Sequence, residues 1–212
     1  MGKDRLFKGR DEMKKALLIA SVLMVAVIST ACINNIAVQE LNNKAAEYMQ
    51  KGDYEAAISR LQASIDLDNT MYQTYYNLGV ASINANKYDK AIEALENGIK
   101  LKPDFNDFYY SLGVAKIGLA DEIYEKANVE EEANASTDTE NAVVNIKRDI
   151  TEDEKANVIE LKKGAVENLN RYLENTPDTD DREAILEMIK QCEEFISDNS
   201  PEDKSKAEQK ED

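Results

Sequence analysis

The feature that most constrains the fold of this chain is an internal repeat with a period of 34 residues. The segment Tyr75–Ala81 returns as Tyr109–Ala115, and six of its seven residues are identical. The same interval separates Tyr54 from Tyr88, Ala57 from Ala91, Ile58 from Ile92, Leu61 from Leu95, Ile65 from Ile99 and Leu67 from Leu101. A unit of this length cannot bury its apolar face alone, so the period predicts a stack of similar units around one continuous core.

The repeated residues are typical of helix–turn–helix units. Gly79 and Gly113 would let the two helices of a unit approach closely, and Pro103 would end a second helix because proline has no amide hydrogen. Gly52 and Asn86 stand where the turn inside a unit is expected. The pattern resembles the tetratricopeptide repeat (TPR), which implies an all-α fold, a TPR-type right-handed α-solenoid.

The third repeat is predicted to be split by an extended hairpin. Its second helix comes late, because Ala165 lies 74 residues after Ala91 instead of 34, which leaves an insertion of 40 residues. We expect residues 121–132 to continue the first helix and the Ser/Thr/Asn-rich residues 133–150 to form a mobile loop. The predicted boundaries are repeats at about 38–71, 72–105 and 106–178, an insertion at about 121–160, a capping helix at 180–197 and a disordered acidic tail at 198–212.

Two local signals support this arrangement. Thr151 and Glu154 fit a capping box that would begin the helix returning from the insertion. The predicted capping helix has an apolar side, which a repeat array needs to cover its last exposed face. That side consists of Ile185, Leu186, Ile189, Cys192, Phe195 and Ile196.

The beginning of the chain has the pattern of a secretion signal. Lys14 and Lys15 precede the uncharged run Ala16–Thr30, which is shorter than the roughly 20 apolar residues of a membrane-spanning helix. Cys32 follows small residues, an arrangement that resembles the bacterial lipobox, although Ser29 stands where that motif usually has leucine.

The lipobox resemblance implies that residues 1–31 are a lipoprotein signal peptide, that Cys32 is acylated, and that residues 32–37 are a lipid-anchored linker. An ordinary signal peptide and an uncleaved anchor are alternatives, and in both of them Cys32 is incidental. Translation could also begin at Met13, because MKKALLIASV is a typical signal start.

Composition disfavours several classes of function. The formal net charge of −16 repels nucleic acid and anionic headgroups, so we expect membrane contact through the lipid anchor only. The sequence has no histidine, no Gly-rich phosphate loop and no Cys/His cluster, and therefore predicts no catalytic residue, no cofactor and no metal site: not an enzyme. With Cys32 acylated, Cys192 has no disulfide partner, and we interpret it as a buried structural thiol rather than a reactive site.

The TPR resemblance also implies a binding surface. The first helices of TPR repeats line a concave groove, and residues three or four apart share that face. The predicted protein-binding groove consists of Gln73, Tyr76, Asn77, Val80, Ile83, Asn84, Tyr110, Val114 and Ile117, to which the first and third repeats add Gln39, Asn42, Ala46, Met49, Gln50, Asp107 and Gly118. Such amides, tyrosines and aliphatics can bind an extended peptide or a helix. Alternatively, these residues are core, or the hairpin or the C-terminal helix fills the groove.

The groove lacks the cations that some relatives use. Co-chaperone members of the family bind C-terminal carboxylates with lysine, arginine and asparagine, and of such a set only Asn77 is present here. The resemblance therefore disfavours an acidic peptide terminus and favours an apolar or basic segment of a protein partner.

Together these patterns predict a lipid-anchored TPR scaffold that mediates protein–protein interaction in the bacterial cell envelope, at the cell membrane or outer membrane, facing the periplasm or the cell exterior. Ile33 rather than aspartate follows Cys32, which favours the outer membrane. Two alternatives stay open. One is a small-ligand-binding helper subunit of a solute-uptake system, which a deep apolar cavity beside the terminal helix would indicate. The other is a surface-displayed structural or antigenic lipoprotein.

Overall fold

The computed structural model describes residues 36–128, 130–133, 144–147 and 150–200, together with Leu17 and Ser21, which are helical. The helices of the described ranges are α1 (36–50), α2 (Tyr54–Leu67), α3 (Tyr72–Asn84), α4 (Tyr88–Leu101), α5 (Asp107–Asn128), α6 (Glu152–Asn175) and α7 (Arg182–Asn199). Two short strands, β1 (Glu130–Ala133) and β2 (Val144–Lys147), lie between α5 and α6. Cys32, the other residues of the predicted signal except Leu17 and Ser21, and residues 201–212 lie outside the described residues.

Helices that follow one another in the chain pack against one another, from α2 on α3 to α6 on α7. In addition α3 contacts α5, so the first helices of neighbouring repeats lie side by side. Three apolar clusters follow the array, and Leu61, Leu95 and Leu169 are fully buried in them in turn. This arrangement, in which each helix buries one face on its neighbour, is a TPR-type α-solenoid and confirms the predicted all-α fold class.

The turns inside the first two repeats use the same backbone conformation. Gly52 has φ +75° and Asn86, one period later, has φ 55°. Glycine adopts this left-handed conformation without strain, and asparagine is among the few other residues that tolerate it. The Asp53 carboxylate then accepts a hydrogen bond from the amide of Ala56 at 3.1 Å and caps the start of α2.

Two glycines permit the close helix contacts predicted from the repeat. A Cβ at Gly79 would lie 2.5 Å from Leu95 Cγ, and one at Gly113 would lie 2.7 Å from Leu169 Cγ. Carbon atoms do not pack so closely, so both positions require glycine for this helix spacing. Gly113 on α5 contacts Leu169 on α6, which shows that the late helix completes the split third repeat.

The insertion differs from the sequence expectation. Helix α5 ends at Asn128, whereas we expected helix to residue 132, and β1 pairs antiparallel with β2 so that Glu130 lies opposite Lys147. The expectation of a mobile loop over residues 133–150 was wrong for Ala133 and for Val144–Lys147, which are strand residues, and residues 134–143, 148 and 149 of that loop lie outside the described residues. The β-branched residues Val144 and Ile146 alternate with polar ones in β2, and this two-residue period favours a strand once a partner strand is available.

The returning helix α6 begins with the predicted capping box. The Thr151 hydroxyl accepts from the Glu154 amide at 3.2 Å, and the Glu154 carboxylate accepts from the Thr151 amide at 3.0 Å. Helix α7 packs on α6 and buries Ile185, Ile189 and Cys192. Leu186, expected on the same apolar side, is instead 44% exposed.

Helix α7 also runs further than expected. Asp198 and Asn199 belong to it, although the sequence placed them in a disordered tail. Among the helices of the described ranges, none has both the length and the apolar character needed to cross a bilayer.

Candidate functional site

The nine residues of the predicted groove lie on α3 and α5, and all of them are at least partly exposed. Gln73 and Asn84 are exposed. The other seven, which are half-buried, are Tyr76, Asn77, Val80, Ile83, Tyr110, Val114 and Ile117. Because α3 contacts α5, the two helices form one continuous surface with apolar area still available to a ligand. That this surface binds a partner stays a prediction.

The amide of Asn84, one of the two exposed members, is already used within its own helix. Its Nδ2 donates to the Val80 carbonyl at 2.8 Å. The amide-rich edge expected for the groove therefore depends on Gln73 and Asn77, toward the beginning of α3.

Tyr76 is held at the boundary between the second and third repeats by aromatic side chains. Its ring centroid lies 5.2 Å from that of Phe105 and 5.7 Å from that of Phe108, with ring planes at 85° and 83°. These are edge-to-face contacts, which aromatic pairs prefer. Phe108 fits because a glycine faces it: a Cβ at Gly98 would overlap the Phe108 ring.

Tyr110 occupies the equivalent position one repeat later, and its neighbour is another tyrosine. The ring centroids of Tyr110 and Tyr172 are 5.4 Å apart, with the planes tilted by 47°. Both rings pack against the buried cluster that contains Leu169 and Ile185. Since Tyr172 comes from α6, the groove at this end has side chains from two helices.

The junctions between repeats are filled differently although their positions correspond. The residues are Asn42, Ser64 and Thr74 at the first junction, Tyr76, Gly98 and Phe108 at the second, and Tyr110 with Tyr172 at the third. At the first junction Asn42 Nδ2 lies 3.0 Å from Ser64 Oγ and 3.2 Å from Thr74 Oγ1. This corrects the sequence interpretation of Asn42, whose amide serves helix packing because it meets two hydroxyls inside the array.

Burial and nearby carboxylates both raise the pKa values of Tyr76 and Tyr110. Burial is the largest cause that raises the pKa of Tyr76, and the charge of Asp107 raises it further. Burial also raises the pKa of Tyr110, followed by the charge of Asp181. Both phenols therefore stay protonated at neutral pH in an electronegative environment.

Cations close to the groove in sequence are engaged elsewhere. Helix α3 contains no charged residue. On α5, Lys116 extends to α6, where its Nζ would lie 2.8 Å from a Cβ at Gly164. Arg171 lies over the ring of Tyr109, 4.0 Å from the centroid.

Sequence reasoning missed Tyr172 and Asp181 as members of this surface. The signal for Tyr172 was present, because it stands 74 residues after Gly98, the same step that separates Ala91 from Ala165. No comparable signal marks Asp181. Its proximity to Tyr110 depends on how the chain turns between α6 and α7.

Two further features lie away from the groove. A cleft of about 290 Å³ between α2 and α4 includes Ile65, Tyr75 and Lys90, and it is not beside the terminal helix, where a small-ligand function was expected to place one. Cys192 is buried, as predicted, and burial is the main cause that raises the pKa of its thiol. Within the part of the chain that the structure describes, no group of three or more acidic or cysteine side chains is arranged to hold a metal ion.

The fold and surface define a TPR-type scaffold suited to protein–protein interaction, a class that is typically not enzymatic. Residues 48–117 match the family model of the tetratricopeptide repeat. No curated protein matches the chain.

The first TPR domain of RPAP3 has the same fold. The first TPR of Spaghetti (RPAP3), bound to the HSP90 peptide SRMEEVD, is 14% identical with a TM-score of 0.52, and the match covers 76% of this chain and 93% of that one. The free first TPR domain of human RPAP3, solved by NMR, is also 14% identical with a TM-score of 0.52, over 76% and 94% of the two chains. Crystalline MamA is 22% identical, with a TM-score of 0.40 and coverage of 76% and 79%.

Proposed function

We propose that this protein is a lipid-anchored scaffold of the bacterial cell envelope that holds a protein partner in the groove formed by α3 and α5. The observation that carries the proposal is the accessibility of a surface rich in aromatic and aliphatic side chains. Tyr76 and Tyr110 are fixed by ring contacts and yet remain half-buried rather than buried. Rigid aromatic side chains lose little entropy on binding, which makes them effective anchors for a partner.

A peptide or a helix is the kind of partner that the fold favours. The RPAP3 domain, which has the same fold, binds the peptide SRMEEVD. That peptide ends in acidic residues, whereas the groove here has the carboxylate of Asp107 at one edge and no charged residue on α3. The shared fold thus supports peptide binding in this protein, and the charges argue for a different peptide.

The anchoring part of the proposal rests on the sequence. Lys14 and Lys15, the uncharged run Ala16–Thr30 and the following Cys32 have the order of a lipoprotein signal. Acylation of Cys32 would attach the array at its amino-terminal end to the cell membrane or the outer membrane. The array would then face the periplasm or the cell exterior.

Site-specific photocrosslinking in native membranes tests this function. A benzoylphenylalanine replaces Asn77 in the groove or, as a matched control, the exposed Glu96 on α4. We expect one or a few envelope proteins to be crosslinked from position 77 and not from position 96. A Tyr76→Ala/Tyr110→Ala variant, verified as folded by circular dichroism, should lose these products. Equal products from both positions, or none from position 77, would overturn the groove as the binding surface.

A further inference from the structure

We propose that the groove recognises a cationic side chain, an arginine or lysine of the partner segment, which binds against Tyr76 and Tyr110 with Asp107 and Asp181 as its counter-charges. This inference rests on the proposed function and specifies the chemistry of the partner. A groove of this kind would prefer a positively charged segment, whereas a groove that binds an acidic terminus prefers a negatively charged one.

The tyrosine rings supply the first part of the site. The ring centroids of Tyr110 and Tyr172 are 5.4 Å apart and the ring planes are tilted by 47°, so the two faces are not stacked on each other. The face of a tyrosine ring attracts guanidinium and ammonium groups. The chain already contains one such contact, because the guanidinium carbon of Arg171 lies 4.0 Å from the ring centroid of Tyr109, the residue beside Tyr110.

The carboxylates supply the second part. Asp107 lies in the first turn of α5, and Asp181 precedes α7 without capping it through its side chain. Both are exposed, and neither forms an ion pair with another described residue. An incoming cation would therefore not have to displace a lysine or arginine from them.

The surroundings leave these charges uncompensated. Helix α3 contributes none, Lys116 extends to α6, and Arg182, the neighbour of Asp181, has Nη1 3.5 Å from the Pro177 carbonyl oxygen. The net charge of −16 adds a long-range attraction for a basic segment. Charge complementarity, rather than apolar area alone, thus selects the occupant.

The test measures binding of a defined probe to the full-length chain in mild detergent by fluorescence anisotropy. The probe is a short fluorescein-labelled amphipathic peptide with arginine and leucine at helical spacing. A second peptide has citrulline, the neutral isostere of arginine, at the same positions, and a third has glutamate. We expect the arginine peptide to bind about tenfold more tightly than the citrulline peptide, and the glutamate peptide to bind weakest.

Charge-removing variants then locate the preference. Asp107→Asn/Asp181→Asn should remove most of the arginine preference. Glu93→Gln/Glu96→Gln, which removes two exposed charges from α4, should retain it. A preference that survives in the first variant, or falls equally in both, would assign the effect to net charge and overturn the inference.

Other outcomes separate this inference from the proposed function. If the arginine and citrulline peptides bind equally and Tyr76→Ala/Tyr110→Ala weakens both, the cationic site is wrong while the groove function stands. If no peptide binds, the cationic site is also wrong, and the crosslinks from position 77 decide the function.

Discussion

Lys162 and Asp121 form an unequal ion pair between α6 and α5. The Nζ–Oδ1 distance is 2.7 Å, and the lysine side chain is 9% exposed whereas the aspartate side chain is 53% exposed. The ammonium also lies 4.9 Å from the ring centroid of Phe195 on α7. One buried cation thus contacts three helices close to where the inserted segment leaves α5 and returns in α6, and the carboxylate that pairs with it is accessible to solvent.

Removing the charge of Asp121 should therefore lower the free energy of unfolding more than removing the charge of Lys162. Asp121→Asn leaves a buried ammonium without its counter-charge, and we expect a loss of about 1 kcal/mol in the free energy of unfolding, reduced by solvent access to the pair. Lys162→Met keeps the apolar stem and should change stability less. Urea unfolding measures both. The surface pair is the control, and Glu122→Gln, which breaks the bond to Lys126, should cost under about 0.5 kcal/mol. A larger loss for Lys162→Met than for Asp121→Asn would contradict this account.

Gly98→Ala should destabilise the second junction because the new methyl group would overlap the Phe108 ring. We expect a loss of about 1–3 kcal/mol, as for other overpacked cores. In a Phe108→Leu background the same substitution should cost clearly less, and a double-mutant cycle by urea unfolding gives the coupling. Additive effects of the two changes would exclude the proposed contact.

Gly52→Ala should also destabilise the chain, but for a conformational reason. No atom lies within 4 Å of a Cβ at this position, so the cost of about 1 kcal/mol comes from φ +75° alone. Asn86→Gly, at the equivalent turn, should be neutral or slightly stabilising. Thermal unfolding of both variants checks the pair, and a stabilising Gly52→Ala would refute the left-handed requirement.

Alkaline pH should weaken the fold through Cys192. Burial raises the pKa of its thiol above the ordinary value of 9.0, so the folded state retains a proton that the unfolded state releases. The stability that this provides is complete below pH 9 and declines as pH rises toward the folded-state pKa. In a Cys32→Ser background, urea midpoints measured between pH 8 and pH 10 should fall less steeply for Cys192→Val. Equal slopes would show that the thiol does not contribute. Above pH 10 the raised pKa values of Tyr76 and Tyr110 act in the same direction.

Cys32→Ser should release the protein from membranes. If Cys32 is acylated, the serine variant will incorporate no palmitate label and will leave the membrane fraction. A Cys192→Ser variant should behave like the parent and is the matched control. Continued membrane retention of the Cys32→Ser variant without label would favour an uncleaved anchor.

The fold could be predicted because its determinants recur at one interval. The 34-residue period identifies the close-contact glycines, Gly79 and Gly113, and it also identifies the left-handed turn residues, Gly52 and Asn86. The Thr151 capping box could be predicted because both of its partners lie within one helical turn. Such signals are local or periodic, and a single sequence contains them.

The remaining features depend on contacts that neither spacing nor periodicity encodes. The strand Val144–Lys147 exists because Glu130–Ala133 is positioned to pair with it after α5 ends. The helical spacing placed Asn42 in the groove. Its side chain instead points to two hydroxyls on other helices, those of Ser64 and Thr74, and spacing does not reveal that contact. Tyr172 was overlooked because the insertion displaced it from the period.

The polar first junction is expected to be the part of the array that separates first under a pulling force. A net hydrogen bond contributes about 1 kcal/mol, and Asn42 Oδ1 is buried without a partner among the described residues. At the second junction, by contrast, the Phe108 ring is fully buried, and at the third Tyr110 packs on Tyr172. In a stack where each repeat contacts only its neighbours, the least stabilised junction opens first. If the chain is tethered at Cys32, a pulling force on a bound partner would act across this first junction. Helix α1 would then detach first under tension, while α3 and α5 remain packed together and stay bound to the partner.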